Sequence, residues 1–230
     1  MKKNILLIGG SYGIGYEVAK QMSPSYNIYV ASRTNEHLAA QNIQHIPFDV
    51  LSDDLSSVAL PETIDGFVFC PGSINLKPLK MLGLDDFRQD MELNFFSMVK
   101  AVKAILPRMS DNSSMVFFST VAVNTGMPFH TSVSSAKGAI EGFAKSLAAE
   151  YAPKIRVNTI APSLIDTPLA KRLLNNDKKK EMMAARHPLK RVGNVKDIAN
   201  MVSFLLHPEN SWISGQVLQI DGGMSALNVN

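Results

Sequence analysis

The run Gly9-Gly10-Ser11-Tyr12-Gly13-Ile14-Gly15 follows a short apolar stretch and opens a helical pattern. Glycines let the backbone turn tightly and approach a ligand closely, and a helix beginning there offers free N–H groups and the positive end of its dipole. That combination cradles the pyrophosphate of a nucleotide, and the strand–turn–helix context is the one this chemistry needs. A second clue lies at the end of the next apolar run, Tyr29-Val30-Ala31-Ser32-Arg33. A carboxylate there would bond both ribose hydroxyls and repel a 2′-phosphate. The sequence places neutral Ser32 and then Arg33, whose guanidinium suits a phosphate through a bidentate fork. The remaining reactive types are sparse. Cys70 is the single cysteine and reads as a small packed residue. His37, His45, His130, His187 and His207 are scattered without metal-ligand spacing, so no metal site is expected. His130, just ahead of a long helical pattern, is suited to proton transfer near neutral pH.

These residues need elements to position them. Asn4–Ile8 reads as a buried strand, and Ile14, Val18, Ala19 and Met22 follow helical spacing. Further strands are expected at Asn27–Ala31, Ile43–Phe48, Asp65–Phe69, Ser114–Phe118, Ile155–Ile160 and Val217–Ile220. Helices are expected at Leu84–Leu106, Val133–Tyr151 and Ile198–Leu206. Strand–helix alternation implies an α/β fold: one Rossmann-like, doubly wound parallel sheet with helices on both faces. The whole span 1–230 reads as one domain. Leu164–Arg191 lacks a core pattern and reads as a substrate lid.

Composition narrows the class. The chain has 230 residues, 46% hydrophobic and 19% charged, enough for a sizeable core and far from disorder. A net charge of +3 is too weak to imply a nucleic-acid partner. One cysteine excludes an intramolecular disulfide framework. Met1-Lys2-Lys3 and Ile5–Ile8 imitate a leader, but the apolar run stops at Gly9, and no stretch approaches the roughly 20 apolar residues of a membrane span. A cytoplasmic protein without membrane attachment is expected.

The glycine spacing is Gly-x-x-x-Gly-x-Gly, and it resembles that of the short-chain dehydrogenase/reductase family. Asp49 after strand three, Asn94 in the first long helix and Lys137 in Ser-Ser-Ala-Lys-Gly agree with this resemblance. So do Arg156-Val157-Asn158-Thr159-Ile160-Ala161-Pro162, Arg191-Val192-Gly193 and Asp221-Gly222-Gly223. The resemblance covers essentially the whole chain. It implies an oxidoreductase that uses NADP(H), favoured over NAD(H) through Ser32 and Arg33. The nucleotide would lie against Gly9, Ser11, Tyr12, Gly13, Ile14 and Gly15. Ser32, Arg33, Asp49 and Val50 would surround its adenosine. Cys70, Pro71, Gly72, Asn94, Lys137, Pro162, Ser163, Ile165 and Thr167 would flank the rest. Tyr12 stands where many NADP-binding relatives carry Arg or Lys.

Catalysis in this family uses Asn, Ser, Tyr and Lys. Asn94 and Lys137 match, and the serine position falls on Thr120 with Ser119 beside it. The Tyr position, four residues before Lys137, holds Val133. His130 is a substitute proton donor. Two readings stand: an NADP(H)-dependent oxidoreductase acting on a carbonyl or secondary alcohol, and a degenerate relative that holds NADP(H) as a sensor or scaffold. The lid carries eight basic residues against three acidic ones, a net +5, which reads either as a solvated helix face or as a field that steers an acidic substrate such as an acyl thioester. The resemblance also implies a homo-oligomer, tetramer or dimer. Small residues after Lys137 (Gly138, Ala139, Gly142, Ala144, Ala148) permit the close helix packing this needs, and they serve packing inside one subunit equally well.

Overall fold

The computed structural model describes residues 2–38 and 43–229. Met1, the first residue of the leader-like run, lies outside the described residues, as do 39–42 and Asn230 at the end of the expected domain. Seven parallel strands form one sheet in the order β3-β2-β1-β4-β5-β6-β7. The strands are β1 (Asn4–Ile8), β2 (Asn27–Ser32), β3 (Gln44–Pro47), β4 (Ile64–Phe69), β5 (Met109–Phe118), β6 (Ile155–Pro162) and β7 (Val217–Ile220). Helices α1 (Gly13–Met22), α2 (Leu84–Met91), α3 (Ser97–Ile105), α4 (Ala122–Thr125), α5 (Thr131–Tyr151), α6 (Asp177–Ala185) and α7 (Val195–Leu206) lie between them. This is the doubly wound α/β architecture expected.

Side-chain alternation explains why the sheet is covered on both faces. Leu6, Ile8, Phe67, Phe69, Met115 and Phe117 point to one face, where they meet Met98, Val102, Ile105 and Ile140 of α3 and α5. Ile5, Leu7, Val68, Val116 and Ile160 point to the other, against Val18 and Ala19 of α1 and Ile198 and Val202 of α7.

Strand order reverses between β1 and β4. A doubly wound sheet opens a crevice at the carboxyl ends of strands beside such a reversal. The glycine turn after β1 and Cys70-Pro71-Gly72 after β4 meet there. The Cys70 amide donates to the Ile8 carbonyl at 2.9 Å.

Three elements differ from the sequence reading. The expected helix Leu84–Leu106 is interrupted by a π-helical turn over Glu92–Phe96. The Asn94 side chain donates to the Asp90 carbonyl at 2.8 Å, the acceptor its own backbone amide would use in an α-helix. β5 starts at Met109, earlier than expected: Met109 pairs with Ile64 of β4, and the ladder then shifts register before resuming at Ser114 opposite Gly66, so the polar opening residues carry no apolar run to detect. The lid contains α6 and a 3-10 turn, Pro168–Ala170. No residue of α6 is buried, so it leaves no core periodicity to detect.

Candidate active site

A cavity of about 300 Å³ opens at the reversal point. Its floor is the glycine turn. Gly9 and Gly13 have φ of +71° and +63°, in the left-handed region that favours glycine. A Cβ on Gly15 would stand 2.7 Å from the Gly9 carbonyl oxygen and 2.8 Å from the Gly10 Cα, so only glycine fits. Tyr12 at the N-cap of α1 makes no side-chain capping bond, leaving the first-turn amides of a ten-residue helix available. An anion of pyrophosphate type fits this cradle in shape and charge. Thr167 borders it. Its hydroxyl accepts from the Ala170 amide at 3.3 Å, and its Cβ would lie 3.9 Å from a Cβ on Gly13.

Lys137 stands at the other end. It is buried on α5 and donates from Nζ to the Phe118 carbonyl at 3.0 Å. Burial lowers its pKa to about 8, against the partial opposing pull of Cys70 and Asp90. Burial in turn pushes the Cys70 thiol up to about 12, so it stays protonated and packs against the glycine turn. A Cβ on Gly72 would fall 3.1 Å from Lys137 Nζ and 3.2 Å from Asn94 Oδ1, so the glycine lets both groups approach. Val133, one turn before Lys137, is buried and lines the cavity.

The fold gathers much of the expected set around this cavity. Tyr12, Gly13, Ile14, Gly15 and Cys70 line one side, with Gly72, Thr120 and Lys137 beyond them. Pro162, Ser163, Ile165, Thr167, Ser119 and His130 complete the wall. Ser119 and Thr120 are not equivalent. Ser119 donates to the Glu141 carboxylate at 2.5 Å, which ties its hydroxyl to α5. Thr120 Oγ1 accepts from the Ala122 amide at 3.3 Å and keeps its own proton to offer. His130 sits at the N-cap of α5, with Nδ1 against the Pro128 carbonyl at 2.7 Å.

The other expected residues lie outside the cavity wall. Asn94 packs behind Gly72. Pro71 packs against Gly9. Ser32 donates to the Thr34 carbonyl at 2.8 Å, and Thr34 donates to Ser11 at 3.0 Å, which joins β2 to the glycine turn. Arg33 is exposed beside them. Asp49 accepts from the Leu51 amide at 3.0 Å, stiffening the turn after β3, and Val50 packs on the core.

Two groups escaped the sequence reading. Asp90 is 1% exposed and accepts from Ser73 and Ser132 at 2.6 Å each and from Asn75 at 3.1 Å. His187, among the scattered histidines, is buried and bonds Ser163 across the cavity wall at 2.9 Å. Residues so distant in sequence carry no spacing signal. The Ser163 hydroxyl beside the strand-end Pro162 was the one hint.

The fold and site define a dinucleotide-binding α/β protein. A family model described as enoyl-(acyl carrier protein) reductase matches residues 8–225. The chain belongs to this family, the short-chain dehydrogenase/reductase oxidoreductases, whose members bind nicotinamide cofactors. It is 30% identical to a 3-oxoacyl-[acyl-carrier-protein] reductase of Chlamydia trachomatis, covering 98% of each chain. It is 29% identical to an uncharacterized oxidoreductase of Bacillus subtilis, over 97% of this chain and 99% of that one. Among solved structures, a ligand-free aldohexose dehydrogenase of Thermoplasma acidophilum has a TM-score of 0.88 at 26% identity, over 100% of this chain and 97% of that one. ElxO with NADP bound has a TM-score of 0.85 at 28% identity, over 99% and 100%. Among the described residues, no helix is long and apolar enough to cross a membrane.

Proposed function

We propose that the protein is an NADP(H)-dependent oxidoreductase that interconverts a carbonyl compound and a secondary alcohol. The observation that carries this reading is the single cavity joining the side-chain-uncapped glycine turn to Thr120, Ser163 and Lys137. A nicotinamide nucleotide bound there would supply or accept a hydride. Gly13–Gly15 and the α1 amides would hold its pyrophosphate, and Lys137 its nicotinamide ribose. Arg33, exposed at the end of β2 and preceded by neutral Ser32 rather than an acid, would pair with a 2′-phosphate. Thr120 would donate to the substrate oxygen. The apolar wall near Val133 and Leu173 would keep water from the reacting carbon.

The charge of the lid supports one substrate class. Asp166 is taken by Lys180 at 2.9 Å, and Arg191 is taken by Asp197 at 2.6 Å. Arg186 lines the cavity, and Lys171, Arg172 and Lys178 stand exposed on the same lid. An anionic acyl thioester suits that field. The chain's likeness to a 3-oxoacyl reductase supports the same class.

Val133 favours a second reading, a protein that holds NADP(H) without turnover. By the motif around Lys137, Val133 stands where the family carries its proton-transferring tyrosine, and a valine transfers no proton. A Tyr-to-Phe variant of the structural neighbour ElxO, with a TM-score of 0.84, has NADPH bound.

Fluorescence titration with NADPH and NADH, beside NADPH oxidation over a carbonyl panel that includes acetoacetyl-CoA, separates the readings. Turnover establishes the first; tight NADPH binding without turnover establishes the second. Equal or tighter NADH binding, or an Arg33→Ala variant with unchanged NADPH affinity, would refute the cofactor preference.

A further inference from the structure

We propose that Ser163 and His187 are the proton-transfer pair of this cavity, with Ser163 meeting the substrate oxygen and His187 standing behind it. The proposal rests on the oxidoreductase reading above. Ser163 follows β6 directly and lines the cavity wall. His187 follows α6 within the lid and is 2% exposed, yet it also borders the cavity. Ser163 Oγ and His187 Nε2 lie 2.9 Å apart. On the far side of the ring, Nδ1 lies 2.9 Å from the Met183 carbonyl oxygen.

That carbonyl can only accept, so Nδ1 carries a proton in either state of the ring. Nε2 is therefore the nitrogen that gains or loses one. In the neutral ring, Nε2 accepts the Ser163 O–H. In the imidazolium, Nε2–H donates to Ser163 Oγ, and the serine proton leaves the ring for the Met224 sulfur, 3.2 Å away, or for a substrate oxygen that displaces that weak acceptor. Thus protonating His187 changes the direction in which Ser163 donates. No other rearrangement is needed.

The charged groups around the ring come from three directions. Arg186 precedes it at the end of α6, and Lys190 follows it, with Nζ 3.5 Å from the Ala185 carbonyl. Asp221 faces it from beyond β7. Burial opposes ionisation of Asp221, but hydrogen bonds from Ser225 and the Gly223 amide, with His187 nearby, hold its carboxyl below the usual value. Lys137 and His130 line the same cavity.

The balance of the reduction is complete. The co-reactant is a reduced nicotinamide nucleotide, which becomes oxidised as the carbonyl carbon gains hydrogen. As negative charge develops on the substrate oxygen, the Ser163 O–H bond breaks and a substrate O–H bond forms. The His187 Nε2–H bond then breaks to restore the serine hydroxyl, leaving a neutral ring that solvent reprotonates. Alcohol oxidation runs the same bonds backwards and needs the neutral ring first. Reduction therefore needs the protonated ring and oxidation the neutral one, so the two directions must respond to pH with opposite sign.

The test uses the full chain, with acetoacetyl-CoA and NADPH for reduction and 3-hydroxybutyryl-CoA and NADP for oxidation. Ser163→Ala and His187→Gln are expected to lower kcat by about 10²–10⁴ in both directions. NADPH affinity of His187→Gln should stay as in the wild type. The opposed pH profiles should flatten in both variants and persist in His207→Gln. A nitrogen-labelled imidazole spectrum of the protein without nucleotide gives a second readout. Nδ1 of His187 should stay protonated throughout a pH titration, and Ser163→Ala should move the Nε2 signal.

If the pair only anchors the lid, His187→Gln will lose substrate affinity while keeping both pH inflections, and that result overturns the proposal. So does a His187→Gln enzyme with the wild-type rate, or an Nδ1 that loses its proton. A wild type that binds NADPH tightly but turns over neither probe nor any panel carbonyl overturns the oxidoreductase reading itself. A wild type that turns over and is indifferent to both variants overturns only the pair.

Discussion

Val133→Tyr is expected to create or raise reductase activity. Position 133 lies one turn before Lys137 on the same face of α5, so a phenol placed there neighbours the ammonium. At the roughly 6 Å typical of such neighbours, with an effective dielectric constant of about 20, the charge favours phenolate by about 3 kcal/mol. That brings a phenol from about 10 to about 8. Because burial holds Lys137 near 8, the effect should be full below pH 8 and fade above it, as the amine gives up its charge. General acid catalysis is worth about 10²–10⁴ in rate. Against this stands the volume added. Val133 is buried but forms cavity wall, so its outer atoms face open space. Overpacking should remove no more than about 1–3 kcal/mol of stability.

The assay is NADPH oxidation over a carbonyl panel, run on wild type, Val133→Tyr and Val133→Phe after each has been shown to fold and to bind NADPH. The Phe variant separates ring bulk from hydroxyl, and only Tyr should gain. A folded, NADPH-binding Tyr variant with no gain on any carbonyl refutes the idea that the site lacks only a phenol there. A gain shared by Phe refutes the proton argument.

Gly15→Ala should lose NADPH binding and about 1–3 kcal/mol of stability in a denaturant titration, because its Cβ would press on the Gly9 carbonyl at 2.7 Å. Lys137 binds a proton less readily in the folded chain than at its ordinary value of 10.5, so stability should rise with pH from about 8. The Cys70 thiol, pushed from 9.0 to about 12, acts the other way, since the unfolded chain loses its proton first. The rise should therefore level off above pH 9 and continue towards pH 10.5 only in Cys70→Ala; a wild-type stability flat from pH 7 to 9 would contradict it. We propose a homo-oligomer in which Leu84 and Phe96, 73% and 46% exposed, would be covered. Light scattering at micromolar concentration should show a dimer or tetramer, and a monomer would refute it.

What the sequence made legible follows from how each feature is encoded. Continuous apolar runs, buried on both faces, wrote the central strands, and the glycine turn identified itself because Gly15 admits no other residue between Gly9 and Cys70. The π turn was hidden, since Asn94 interrupts the helix through a side-chain bond to Asp90 that hydropathy does not register. Motif position brought Ser119 and Thr120 forward together, but only geometry separates them: Ser119 is committed to Glu141, whereas Thr120 keeps a proton to offer. The lid was legible as a gap, and its anchor was not. His187 reaches Ser163 because the strap closes at its base, where the Asp166 amide donates to the Gly193 carbonyl at 2.8 Å and the Gly193 amide donates back to the Leu164 carbonyl at 3.1 Å. That closure turns an isolated histidine into a cavity residue and seats it beside the serine that follows Pro162. A valine in the wall and a titratable pair a short way along it belong to one question about where the proton comes from. The opposed pH profiles answer it with any carbonyl and alcohol pair that turns over, whether or not that pair is the natural one.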